Sequence, residues 1–430
     1  MLQRVDPDGD HKSARVATFA KHIESHGSAI PLTELGEAGS NALIEILEGD
    51  DLERCRAASR AAYNSNTSEA TAFFHAQIEK GSLPVRFWLA CGMGAASQAN
   101  QFAPLTTPPL LEALNEGPPH LQAEVLQLCS RFKGRLSQHF VEGLKKSREE
   151  NARKPWPILA LLALFISEAE YRAPALALTN KKDVVGDIAT ILLVRGDSNH
   201  KVKKPRVMYV TKKAADLPHP WLRVAAIQCV RTAYSGLPSS PSRYVKFLTS
   251  MLKDEHHSVR AQANTSLASC KPMEKYQKQV AKAIKDNHPE VRITALGAAK
   301  SRAKEKVPAA VLSIYKKASK DEDPKVRSKA VFQHIVLTGT TKLALDVLKT
   351  ETDQDVLLSI AGRYRSLSST EEKKKLVEAC SQIRNKRVIT SILEEIRKAN
   401  AASDHREVIE RIAASTPYPR VRSAAQALLK

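Results

Sequence analysis

One short theme recurs along this chain and restricts its fold more than any other feature. Asp254-Glu255-His256-His257-Ser258-Val259-Arg260, Asp286-Asn287-His288-Pro289-Glu290-Val291-Arg292 and Asp321-Glu322-Asp323-Pro324-Lys325-Val326-Arg327 share an acid, a polar turn and then Val-Arg. Thr416-Pro417-Tyr418-Pro419-Arg420-Val421-Arg422 and Leu217-Pro218-His219-Pro220-Trp221-Leu222-Arg223 are variants without the acid, and Ser82-Leu83-Pro84-Val85-Arg86 is a shorter copy. Arg223, Arg260, Arg292 and Arg327 follow one another at intervals of 37, 32 and 35 residues. A period of this size marks an array of small structural units. Weaker copies near Asp51, Pro119, Trp156, Asp183, Asp355 and Lys386 bring the expectation to about twelve units across the chain.

Each unit reads as a helical hairpin. After Val326 come Ala330, Val331 and Ile335; after Val291 come Ala295, Leu296 and Ala299; after Leu222 come Ala226, Ile227 and Val230. These offsets place apolar residues on one helical stripe. Pro289 and Pro324 fall in the first turn, where a missing N–H costs nothing. A preceding helix shows in Tyr244, Phe247, Leu248 and Met251, and again in Val307, Val311, Leu312 and Tyr315. Small residues (Ala263, Ala295, Ala330, Ala425) allow helices to approach closely. One hairpin cannot bury its stripe alone, so neighbours must stack.

The Asp…Val-Arg pattern with its small-residue helix resembles the HEAT repeat family, especially its short prokaryotic-type repeats, over roughly 36–430 and most specifically over 216–336. The resemblance implies an all-α, right-handed α-α superhelical solenoid of about twelve HEAT-type hairpins, with second helices lining a concave surface. It also implies binding rather than chemistry: a non-catalytic scaffold or adaptor. Residues 1–35 show no clear repeat and read as a cap or tail. Residues 36–200 and 201–430 read as near-neutral and strongly basic stretches of one continuous array.

Charge separates those stretches. Residues 1–200 hold 21 Lys+Arg and 24 Asp+Glu; residues 201–430 hold 45 and 22. Within 201–350 the counts are 30 and 11, and 22 of the 30 are lysine. Such asymmetry points to an acidic partner, protein or nucleic acid. Lysine suits point contact with phosphates, whereas base reading favours arginine, so any nucleic acid would be held by its backbone. The candidate polyanion patch is Lys201, Lys203, Lys204, Arg206, Lys212 and Lys213, with Arg231, Lys300 and Arg302 near the ends of second helices. The alternative for the cluster is a solvated linker. Lys275, Lys278, Lys282 and Lys285 share a helix face and read as solvated. The repeated arginines read as structural, each Asp–Arg set tying one turn to the next repeat, and they are left out of the patch.

No motif for chemistry emerges. GxxxxGK[ST] and HExxH are absent, and no His is followed by Glu, unlike the iron-binding HEAT enzyme family of deoxyhypusine hydroxylases. His256-His257 is a pair at a turn and reads as capping or solvated. Trp221 with Asp216 loosely resembles the pairing in HEAT-like alkylpurine DNA glycosylases, and a phycobilin-lyase-like attachment factor is a further groove-enzyme alternative. Neither is the primary expectation, which is no enzyme activity, no cofactor and no metal. Six scattered cysteines with no CxxC read as buried small residues in a reducing compartment. The longest apolar run, Pro157 to Ile166, is half of what a spanning helix needs, and no secretory signal opens the chain. The expected location is cytoplasmic, or nuclear in a eukaryote.

Overall fold

A computed structural model describes residues 41–64, 68–92, 103–132, 136–151, 154–165, 167–196, 204–234, 241–270, 282–298 and 309–430. Among them the regular elements are helices, and no strand occurs. The chain divides into two compact units, Met1–Ser235 and Gly236–Lys430. The packing border thus falls at 235/236, while the border in charge falls at 200/201.

In the first unit, residues 41–47 are helical, followed by α1 (Leu52–Asn64), α2 (Ser68–Lys80), α3 (Leu83–Gly92), α4 (Ala103–Glu116), α5 (Pro119–Arg131), α6 (Gln138–Glu150), α7 (Trp156–Leu164), α8 (Ala169–Leu178), α9 (Val184–Gly196), α10 (Lys204–Lys213) and α11 (Pro220–Ala233). Consecutive helices pack as hairpins: α2 with α3, α4 with α5, α6 with α7, α8 with α9 and α10 with α11. The second helices also stack on one another, α5 on α7, α7 on α9 and α9 on α11. Leu222, Ala226, Ile227 and Val230 are all buried, as their stripe requires.

This unit departs from an open groove, because α11 also touches α5. The contact is polar. His219, which caps α11, brings Nε2 to 2.7 Å from the Glu124 carboxylate on α5, and Arg56 on α1 binds the same carboxylate and Gln127. Glu124 is 5% exposed and His219 is fully buried. The Trp221 N–H donates to His219 Nδ1, so the ring proton sits on Nε2 and points at the carboxylate. Burial alone would raise the Glu124 pKa, but the His219 bond and the Arg56 charge outweigh it and hold the carboxyl below its usual range. A buried acid therefore joins helices that are not neighbours in sequence.

The second unit comprises α12 (Ser242–Met251), α13 (His257–Ala268), α14 (Pro289–Ala298), α15 (Ala309–Ala318), α16 (Pro324–Thr338), α17 (Lys342–Leu348), α18 (Gln354–Ala361), α19 (Thr370–Ser381), α20 (Lys386–Lys398), α21 (Arg406–Ser415) and α22 (Pro419–Leu429). Its second helices form an unbroken row: α13, α14, α16, α18, α20 and α22 each pack on the next. α17, α19 and α21 make the facing row. Ala263, Ala295, Ala330 and Ala425 have no exposed surface, which fits close approach of backbones. Val291, Val326, Val331, Ile335, Tyr315 and Tyr364 are buried between the rows. Each such apolar side chain contributes roughly 1.5–3 kcal/mol over its exposed state.

The turns are capped in register. Asp323, Asp353 and Asn385 accept N–H bonds from the first turns of α16, α18 and α20. In earlier repeats a histidine stands at this place: His219 before α11 and His256 before α13. Five cysteines are buried and Cys91 is partly so. Burial pushes the Cys55, Cys229 and Cys380 thiols up to about 12. No helix among the described residues is long and apolar enough to cross a membrane.

Candidate interaction surface

The repeated arginines hold the second unit together. Arg260, Arg292 and Arg327 each donate Nη1 to the carbonyl six residues back, at Asp254, Asp286 and Asp321, at distances of 2.9–3.0 Å. Arg223 makes the same bond to Leu217 through Nη1, and Arg422 makes it to Thr416 through Nη2. In Arg260, Arg292 and Arg327 the rest of the guanidinium reaches the next repeat. Arg260 binds both carboxylate oxygens of Asp286 at 2.9 and 2.8 Å. Arg292 meets Asp321 at 2.7 Å, and Arg327 grips Glu351 through two bonds of 2.8 and 2.9 Å.

Each carboxylate in turn accepts from the N–H two residues on, at His288, Asp323 and Asp353. One planar fork therefore clamps two successive turns, a task suited to arginine and not to lysine. The Arg327 bonds, opposed by burial, hold Glu351 below its usual range. Arg260, Arg292 and Arg327 are raised above theirs, chiefly by the same hydrogen bonds. The structural expectation for these residues holds.

The lysines are placed differently. Lys253, Lys285 and Lys320 immediately precede the ladder acids Asp254, Asp286 and Asp321, and all three are exposed. Lys282, Lys316 and Lys317 are exposed on the preceding helical turns. None of these six pairs with a carboxylate among the described residues. A lysine thus stands beside each arginine clamp, with its charge left for solvent or a partner. Sequence reasoning assigned Lys282 and Lys285 to a solvated face and did not align Lys253, Lys285 and Lys320. The recurring Lys-Asp dipeptide was the signal that could have done so.

The residues of the expected patch are placed as follows. Lys201, Lys203, Lys300 and Arg302 lie outside the described residues, as do Lys275 and Lys278. Lys204 opens α10, but its side chain is also outside them. Lys212 and Lys213 are exposed at the end of α10, and Lys213 stands 3.9 Å from Asp216. Arg231 is exposed in the last turn of α11.

Arg206 does not belong to a displayed patch. Its guanidinium turns inward to the Asp187 carboxylate at 2.8 Å, the Lys181 carbonyl at 2.8 Å and Thr190 Oγ1 at 3.3 Å. Asp187 on α9 is buried, and that burial raises its pKa more than the Arg206 charge lowers it. A carboxylate in such a place needs a cation, and Arg206 is the one supplied. Trp221 is half-buried with Arg195 over its ring at 5.8 Å, while Asp216 is exposed.

A second group gathers at the α13 and α14 turns. The His257 and His288 rings stack at 3.5 Å, 13° from parallel. His257 Nε2 lies 3.0 Å from Glu290 Oε2. The sequence reading treated His256-His257 as a local pair, because stacking of the next repeat onto it is a tertiary event.

No family model and no curated protein sequence matches this chain. Among solved structures, it is similar to a homology model of the full-length AP-3 complex in an intermediate open conformation (12% identity, TM-score 0.34, 97% of this chain and 93% of that one). An engineered protein is similar at 16% identity and TM-score 0.23, over 100% and 96% of the two chains. She4p is similar at 12% identity and TM-score 0.25, over 98% of this chain and 70% of its own. At these scores the likenesses carry no weight for function.

Proposed function

We propose that this chain is a non-catalytic, HEAT-type helical-repeat scaffold whose second unit docks an acidic protein partner along the edge that carries Lys253, Lys285 and Lys320. The observation that supports this is a division of labour between the two cations. Arginines are consumed in pairs that clamp successive turns, while a lysine beside each clamp is exposed and has no acid among the described residues. A chain that needed charge only for solubility would not require cations recurring at one register position over three repeats. Lys212, Lys213 and Arg231 in the first unit supply further exposed positive charge.

Binding to polyglutamate and to duplex DNA, each over a salt series, tests this reading. The variant Lys253→Glu/Lys285→Glu/Lys320→Glu should weaken polyglutamate binding at low salt and leave thermal stability close to wild type. Equal polyglutamate affinity for variant and wild type at low salt would refute the docking edge. Stronger binding to DNA, with a salt slope reduced by about 2.7 in the variant, would make nucleic-acid backbone the partner instead.

A further inference from the structure

The row of second helices presents a side-chain cluster that the docking edge does not use. Phe332 on α16 is half-buried, with Lys329 Nζ 5.2 Å and Arg363 Cζ 4.7 Å from its ring centroid. Lys329 lies one turn earlier on α16, and Arg363 follows the end of α18. Val336, one turn beyond Phe332 on the same helix face, is 38% exposed. We propose that Lys329, Phe332, Val336 and Arg363 form a subsite for an acidic–apolar segment of a protein partner, with a carboxylate held by the two cations and an apolar side chain laid on Val336. This rests on the acidic-partner reading above and names the part of such a partner that is recognised.

Charge favours an anion here. Two like charges over one ring repel each other, and neither Lys329 nor Arg363 pairs with a carboxylate among the described residues. Arg363 donates Nε to the Ser359 carbonyl at 3.3 Å. The helices around the cluster add almost no negative charge: α13 and α16 contain no acid, and α14 and α18 contain only Glu290 and Asp355, each in the first turn. The ring is a weak partner for a cation, worth about 0.5–1 kcal/mol at an exposed site, so a carboxylate is the better one.

The backbone leaves room for a peptide. Phe332 stands six residues after Val326, and the equivalent places after Val291 and Val356 are Gly297 and Gly362. A Cβ added at Gly297 would meet nothing nearer than Lys329 Cε, at 3.9 Å. One added at Gly362 would meet the Leu358 carbonyl at 3.4 Å. On α13 and α20 the same place is filled by Thr265 and Glu394. The ring is therefore flanked in register by bare backbone on both neighbouring repeats, which permits close approach of another chain.

The combination fits a peptide better than a nucleic acid. Bases stack on free aromatic faces, and here two cations lie over the ring. An arginine and an aromatic ring beside an exposed valine are the residue types that anchor protein interfaces.

Fluorescence anisotropy tests the subsite, using the full chain and two labelled peptides of equal charge: four Glu-Glu-Leu repeats and four Glu-Glu-Ser repeats. The leucine peptide should bind roughly tenfold tighter, as expected for one buried apolar side chain. Val336→Ser should remove most of that ratio. Lys329→Gln/Arg363→Gln should weaken both peptides at low salt. Circular dichroism melts identify the folded variants. The Lys253→Glu/Lys285→Glu/Lys320→Glu variant should weaken both peptides by the same factor and keep the ratio. If that variant instead matches wild type, the edge fails and the subsite stands on the ratio. Equal wild-type affinity for the two peptides, an unchanged ratio in folded Val336→Ser, or unchanged binding by folded Lys329→Gln/Arg363→Gln would overturn the subsite and leave the edge standing. Oligothymidylate bound more tightly than either peptide, and lost in Lys329→Gln/Arg363→Gln, would make single-stranded nucleic acid the occupant and overturn the assignment.

Discussion

Arg292→Ala is the sharpest perturbation of the second unit. Its side chain is 8% exposed and makes four hydrogen bonds: to the Asp286 and Asn287 carbonyls at 3.0 and 3.1 Å, to Asp321 at 2.7 Å and to Glu322 at 3.4 Å. Removing one partner of a buried ion pair costs about 3–5 kcal/mol, because the other charge is stranded. Asp321 is not wholly stranded, since it keeps the Asp323 N–H at 3.0 Å and is 14% exposed. The expected loss is therefore about 3 kcal/mol, at the low end of that range.

Arg292→Lys keeps the charge but cannot hold two carbonyls and a carboxylate at once, and should lose about 1–2 kcal/mol. Arg422→Ala is the internal control. It breaks the same i−6 carbonyl bond, at 2.9 Å, in the last repeat of the array, and should cost about 1 kcal/mol. Urea unfolding followed by circular dichroism gives the ranking. Because repeat arrays can open locally, hydrogen exchange over 286–292 and 321–327 should locate the loss. If Arg292→Ala costs no more than Arg422→Ala, or Arg292→Lys matches wild type, the inter-repeat clamp is not what the arginine contributes.

Two further outcomes are expected. Glu124→Gln removes the charge shared by Arg56 and His219 and should destabilise the first unit by about 2–4 kcal/mol; unfolding that matches wild type would show that the contact between α5 and α11 stands without it. His405, 3% exposed with Nε2 2.8 Å from Tyr364 Oη, has its pKa lowered by burial, with Lys374 and Lys373 adding to the effect and Asp404 opposing it. The unfolded chain therefore takes up the proton first, and this stability is complete above about pH 6.5 and lost as pH falls below it. His405→Gln should flatten that fall in a melting-temperature series between about pH 7.5 and 5, and a parallel profile would exclude the role.

Much of the architecture was legible in the chain. The Val-Arg period placed the second helices, and stripes such as Val326, Ala330, Val331 and Ile335 are buried as the periodicity requires. The proline-led first turns of α11, α16 and α22 stand where the motif puts them. The structural part of each arginine also followed from a local distance, because the acid and the arginine six residues apart mark the same turn. Charge was read less well. Counting cations in 201–213 put Arg206 beside Lys212, yet one turns inward to Asp187 and the other faces solvent. Composition cannot report direction, and Asp187 lies 19 residues away on another helix.

Local sequence determined the hairpin, because helix period, caps and turn residues act within a few positions of one another. Its repetition determined that hairpins stack, since no single stripe can be covered without a neighbour. Only tertiary packing decided that Glu124 would meet both Arg56 and His219, and that His257 would lie against His288 with Glu290 beside it. The reason is physical: such contacts depend on how far each repeat rotates on the last. That angle is the sum of many small packing choices along the row, and no one segment of sequence records it.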